Sequence, residues 1–132
     1  MKNHDFEALD VAVFNARIGT PVPSTVQAPV KVLALQQLEL LEEEVRELRT
    51  AIENDDFVGT VHETLDVVYV AKGFAALTGI VYCWRDLWRE LHRANLSKDG
   101  QRTERKAFDA VKPAGWKPAN FVPILRRFGW LS

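Results

Sequence analysis

Leu33, Leu38, Leu41, Val45, Leu48 and Ile52 recur at helical spacing in a stretch built otherwise largely of Glu, Gln and Arg. These are good helix formers, and no Gly or Pro interrupts them between Pro29 and Asn54. Asp55 and Asp56 punctuate, and a second helical stretch follows from about Phe57 to Thr78. Its middle, Leu65 to Leu77, is mostly apolar and contains β-branched Val67, Val68 and Val70, so a buried strand competes with a helix there. A length of more than about twenty residues favours the helix, because strands average five or six. Two long helices joined by a short turn run antiparallel as neighbours, and this pair constrains how the rest of the chain can pack.

The flanking segments are shorter. Asp5 to Arg17 carries Phe6, Leu9, Val13 and Phe14 on one helical face, and Gly19, Pro21 and Pro23 end it. Ser24 or Thr25 is placed to cap the long helix, with Pro29 in its first turn. Gly79 fits the end of the third helix. A fourth helix is predicted from about Trp84 to Leu96 with Leu87, Trp88, Leu91 and Leu96 inward. Beyond Lys98, Gly100, Pro113, Gly115, Pro118 and Pro123 exclude a long helix. That leaves a short turn or hairpin near Arg102–Val111 and one last helical turn at Ile124–Phe128. The expectation is an all-α protein of one domain, residues 1–132, with a helical core at about 6–98 and an irregular basic tail at 99–132.

Composition enters as a set of exclusions. In 132 residues, 47% are hydrophobic and 27% charged, which rules out disorder as the main state. A single cysteine, Cys83, excludes an internal disulfide and a cysteine-based zinc site, and its place beside Trp84 predicts a buried, inert thiol. No apolar run is long enough to cross a membrane and Met1–Asp5 lacks a signal-peptide pattern, so a cytoplasmic protein is expected. Charge is uneven. Residues 1–84 hold six Lys/Arg against thirteen Asp/Glu, and residues 85–132 hold eleven against five, giving −7 and +6.

The acidic half concentrates its charge in two pairs, Glu44 with Glu47 and Glu63 with Asp66. Residues three apart share a helix face, so on antiparallel neighbours the two pairs can meet. Two readings stand. Residues Glu42 to Glu47 can form a solvated face paired with Arg46 and Arg49. Alternatively the four carboxylates, set beside Leu48, Leu65 and Val67, surround a divalent cation that relieves their repulsion. Oxygen-only donors would favour Mg2+, or Mn2+, over Zn2+. The basic half offers Asn95 and Lys98 at the end of the fourth helix, then Arg102, Arg105, Lys106 and Lys112. This segment suits a phosphate chain, a nucleic acid or plain solvent. Trp116 and Phe121 read as packing residues, and His4, His62 and His92 as surface or helix-end residues.

The order of these motifs resembles a known family. Glu43-Glu44-Val45-Arg46-Glu47, then fifteen residues, then Glu63-Thr64-Leu65-Asp66, is similar to the E-E-x-x-E…E-x-x-D signature of the MazG-type all-α nucleoside triphosphate pyrophosphohydrolases. His92 to Lys98 resembles the family's Asn/Lys motif. Val111 to Pro118 and Phe14 to Pro21 resemble the tail and first-helix ending of a subgroup related to phosphoribosyl-ATP pyrophosphohydrolase. The resemblance implies a four-helix core and hydrolysis of a (d)NTP, dUTP being favoured, to the monophosphate and pyrophosphate. Glu44, Glu47, Glu63 and Asp66 would bind Mg2+, and Glu43 and Glu47 would serve the attacking water. Asn95, Lys98, Arg102, Lys106 and Lys112 would hold phosphates or sugar. Asn15, standing where relatives often have His, and Gln37 would read the base. Asn120 stands where the tail commonly has Asp. The resemblance also implies a homodimer or dimer of dimers, with Phe6, Trp84 and Trp88 as candidate contact residues, and neither a membrane nor a nucleic acid as partner. Alternatives are a phosphoribosyl-ATP pyrophosphohydrolase and a non-catalytic helical dimer that binds nucleotide or protein.

Overall fold

A computed structural model describes residues 5–131; His4 therefore lies outside the described residues. The chain is mostly helical. Four longer helices, α1 (Phe6–Arg17), α2 (Lys31–Glu53), α3 (Phe57–Thr78) and α4 (Trp84–Leu96), are followed by strands β1 (Asp99–Gln101) and β2 (Asp109–Val111) and a short α5 (Val122–Arg127). A single 3-10 turn, Ile80–Tyr82, links α3 to α4.

Packing of α2 against α3 dominates the fold, with α1 on the other side of α3. The reversal between α2 and α3 is tight because Asp55 takes a left-handed φ of 53° and Asp56 caps α3, its carboxylate accepting from the Gly59 N–H at 2.9 Å. The two helices approach closely at Gly73, where an added Cβ would lie 2.1 Å from Gln37 Nε2. That amide nitrogen donates to the Val70 carbonyl at 2.8 Å. The competing strand for residues 65–77 is therefore excluded, and Gly79 ends α3 at φ 75°.

The start of α2 differs from the sequence expectation. It begins at Lys31, after Pro29, and its N-cap residue Val30 makes no side-chain cap. Ser24 and Thr25 do not cap it, because the segment before it is used elsewhere. Val26 N–H donates to the Phe128 carbonyl at 3.1 Å and Gln27 N–H to the Thr78 carbonyl at 2.9 Å. Pro29 further biases Ala28 toward extended backbone.

The face that α1 buries is not its most apolar one. Ala8, Val11 and Asn15 are buried, whereas Phe6 is 71% exposed and Val13 and Phe14 are exposed. Close approach to α3 selects the small residues: Ala8 packs with Ala75 and Val81, and Leu9 packs against them from the rim. The ammonium of Lys72 on α3 fixes the rotation by pairing with Asp5 and Glu7, each at 3.2 Å. In α4 the buried residue is Ala94, covered by Trp116, whose Nε1 donates to the Ala94 carbonyl at 3.0 Å. Leu96, two residues on and hence across the helix, is 72% exposed rather than inward; Trp88 and Leu91 are exposed too. Cys83 is buried, which pushes its thiol up to about 11.

The tail is more ordered than its Pro and Gly content suggests. β1 and β2 pair antiparallel with Gly100 opposite Ala110, and Asp109 anchors the loop by accepting from Thr103 Oγ1 at 2.7 Å and from the Arg105 guanidinium. Among the described residues no helix is long and apolar enough to cross a membrane.

Candidate metal centre

Antiparallel packing of α2 on α3 brings Glu44 and Glu47 to Glu63, while Asp66 groups with Glu63 and His62 and not with the α2 pair. Carboxylate oxygens of Glu44, Glu47 and Glu63 lie within 4.8 Å of one another, and Glu63 lies equally close to Asp66 and His62. Glu44, Glu63 and Asp66 are half-buried and Glu47 is exposed, so the group opens to solvent on one side. One oxygen of Glu44 and one of Glu63, both Oε2, are buried without a hydrogen-bond partner. A buried acceptor left unpaired is costly, and an ionised one more so. The consequence falls on Glu44. Its burial first, a bond to Glu63 next, and then the charges of Glu47, Asp66 and Glu63 raise its pKa from 4.5 to about 7.

Such a group is complete only when something positive joins it. The donors are hard oxygens, and two of them are buried and unpaired. These residues therefore fit a divalent cation of the Mg2+ or Mn2+ kind, and Glu44, Glu47, Glu63 and Asp66 are the side chains that would hold it. Glu43 points elsewhere: it is exposed on a shallow depression with Gln36, Glu39, Glu42 and Arg46.

Asp66 has a partner that the sequence reading passed over. His62, one turn earlier on α3, lies with Nε2 2.9 Å from Asp66 Oδ2. Its i,i+4 spacing was the available signal. Lys72 was missed as well. It is 7% exposed, with Nζ 5.3 Å from the Trp84 ring centroid, and it is the one charge in the apolar run Leu65 to Leu77 besides Asp66. Burial opposes ionisation of Asp5, but the Ala8 N–H and Lys72 outweigh it and lower the Asp5 pKa.

The basic residues gather in a second place. Asn95, Lys98, Arg102 and Lys106 all line a depression of about 810 Å³ between the end of α4 and the β1–β2 hairpin. Arg105 lines it too, but its guanidinium is bound to Asp109. Lys112 does not line it; the ammonium groups of Lys112 and Lys98 sit 5.1 and 5.2 Å from the centroid of the Trp116 ring. Asn15 is buried in α1, and the Gln37 amide is engaged between α2 and α3. In the tail, Asn120 acts through its backbone, whose N–H donates to Glu90 Oε1 at 3.0 Å. Arg93 first and that N–H second hold the Glu90 carboxyl down at about 2. No carboxylate of the acidic group lines the basic depression.

Helical pairing thus sets a carboxylate group on the facing surfaces of α2 and α3, and a separate basic depression lies at the end of α4. Residues 11–95 match the family described as phosphoribosyl-ATP pyrophosphohydrolase, a span from α1 through both acidic pairs to Asn95. The chain belongs to that family, within the MazG-like all-α NTP pyrophosphohydrolase superfamily. Its members hydrolyse phosphoric anhydrides of nucleotides and are generally dependent on a divalent metal. A search of curated proteins finds no match.

Proposed function

We propose that the protein is a Mg2+-dependent (d)NTP pyrophosphohydrolase, dUTP foremost among its substrates, that cleanses a cytoplasmic nucleotide pool. The observation that carries this reading is the pair of buried, unpartnered oxygens on Glu44 of α2 and Glu63 of α3, grouped with the Glu47 carboxylate. Glu44, Glu63 and Asp66 would hold the ion, which would neutralise the carboxylates and draw electron density from the phosphate oxygens. Glu47, the exposed member of the group, is placed to orient a water molecule as well as to ligate. Water attacks the α-phosphorus, the bond from that phosphorus to the bridging oxygen of the β-phosphate breaks, and monophosphate and pyrophosphate leave. Glu43 would reach a substrate only from the depression beside Arg46. Asn95, Lys98, Arg102 and Lys106 bind phosphate or sugar oxygens, Lys112 supports Lys98 around Trp116, and Asn15 and Gln37 shape the base end.

Phosphoribosyl-ATP is the second substrate to weigh, because the matching family carries that name. Both substrates contain the same cleavable α–β anhydride, so the carboxylates do not separate them.

A homodimer, or a dimer of dimers, belongs to this reading. On α2, Leu38, Val45 and Ile52 are exposed seven residues apart, and on α3, Val58, Val61, Leu65 and Val68 form a second exposed stripe. Such spacing is the seam of a helical bundle. Phe6 and Trp88 add to the exposed apolar surface. A second copy laid on these stripes would bury them.

The test is product analysis over a panel of NTPs, dNTPs and phosphoribosyl-ATP, with Mg2+ and with a chelator. Monophosphate and pyrophosphate from a dNTP, formed only with metal and abolished in Glu47→Ala, are expected. Turnover of phosphoribosyl-ATP alone would move the assignment to the second substrate. Nucleotide binding without turnover would leave a non-catalytic binding protein.

A further inference from the structure

Asp66 has a side-chain partner from outside the acidic group. His62 Nε2 lies 2.9 Å from Asp66 Oδ2, one helical turn away on α3, and the two residues cluster with Glu63 within 4.8 Å. An aspartate on a half-exposed helix surface has a nearly free carboxylate rotation. Here that rotation works against the site, because Glu63 and Asp66 are like charges on one face and repel each other outward. A donor on one carboxylate oxygen settles both matters: it fixes the plane of the group and holds it against outward rotation.

We propose that His62 is a positioning residue for the metal site, holding Asp66 by its Oδ2 so that Oδ1 is the oxygen offered to the cation. This rests on the reading of Glu44, Glu47, Glu63 and Asp66 as metal ligands. His62 Nε2 is engaged with Asp66 Oδ2 at 2.9 Å, so the imidazole meets the site through Asp66. Its role is that of an outer hydrogen-bond partner, which orients a ligand and tunes its basicity. The oxygen-rich group favours hard ions, which take imidazole poorly, so a direct ligand role for His62 is the less favoured assignment.

The experiment measures Mn2+ binding to the nucleotide-free protein by the electron spin resonance signal of the unbound ion. Wild type, His62→Ala, His62→Gln and Glu63→Gln are compared. His62→Ala is expected to weaken Mn2+ about tenfold, the low end for loss of an outer partner of a metal ligand. His62→Gln, whose amide N–H reaches the same oxygen at the same spacing, recovers most of that loss. Thermal unfolding in chelator stays the same for the two His62 variants, since the imidazole is exposed. Wild-type Mn2+ affinity in His62→Ala overturns the proposal. So does a His62→Gln as weak as His62→Ala, which would make the imidazole a ligand. If wild type and Glu63→Gln bind Mn2+ equally weakly, the metal reading itself fails and His62 falls with it. Loss in Glu63→Gln beside full binding in His62→Ala removes His62 alone.

Discussion

Replacing Glu44 by Gln removes one charge from a site that has too many. The pKa of Glu44 is raised from 4.5 to about 7, so the native state binds that proton more tightly than the unfolded chain. Stability of the metal-free protein therefore falls as pH rises from about 4.5 to about 7, and is flat above. Full conversion of the shift gives about 3 kcal/mol at pH 8, and solvent access beside the exposed Glu47 reduces it to about 1–2 kcal/mol. Glu44→Gln escapes this cost and its amide can donate to Glu63. In urea unfolding with chelator at pH 8, the variant should be about 1–2 kcal/mol more stable than wild type, and the gap should close at pH 4.5. Excess Mg2+ reverses the order. Saturation at a hundred times the Kd adds about 2.7 kcal/mol to the protein that binds the ion, and little to the variant. A Glu44→Gln protein less stable than wild type in chelator at pH 8 would refute the strained carboxylate group. Failure of Mg2+ to stabilise wild type would refute the ion.

Three further outcomes follow from other parts of the structure. Lys72→Ala strips a buried ammonium from Asp5 and Glu7; because Glu7 is largely exposed, the cost in urea unfolding should be about 2 kcal/mol rather than the 3–5 of a fully buried pair. Gly79→Ala sets a Cβ at a left-handed φ of 75° and 2.4 Å from the Thr25 carbonyl oxygen, so it should destabilise by about 2–3 kcal/mol and free the residue 25–27 strap. Arg102→Ala, in the basic depression, should raise KM for a triphosphate by about tenfold with kcat changed by less than about twofold, as expected for a contact equally strong before and during reaction. An unchanged KM would place the phosphate chain elsewhere.

The helices were legible because their signals are local. The ends of α3 were set by Asp56 and Gly79, and those of α4 by Trp84 and Leu96, as the sequence predicts. Glu44, Glu47 and Glu63 could be brought together by spacing alone, since period and a short turn fix which faces meet. What stayed hidden depends on neighbours distant in sequence. The rotation of α1 is decided by Lys72, more than fifty residues away, and by the small residue Ala75, so the apolar spacing of Phe6, Leu9, Val13 and Phe14 alone does not tell that Phe6 and Val13 lie outward. The start of α2 is decided by Phe128 and Thr78, which take up the backbone N–H groups of Val26 and Gln27. Leu96 misled for a similar reason: apolar periodicity places a stripe, but Trp116 decides which residue it covers. The contact of the Gln37 amide with the Val70 carbonyl is set by α3 and is likewise not written in local spacing.

The central claim is that carboxylates on α2 and α3 hold a divalent ion for attack at the α-phosphorus. It is tested most directly by 31P NMR of the dUTP reaction in 18O-enriched water, with Mg2+ and with chelator. The account predicts monophosphate and pyrophosphate only when Mg2+ is present, with the heavy oxygen in the monophosphate. Heavy oxygen in the pyrophosphate would move the attack to the β-phosphorus, and diphosphate with orthophosphate would move it to the γ-phosphorus; either result contradicts the account.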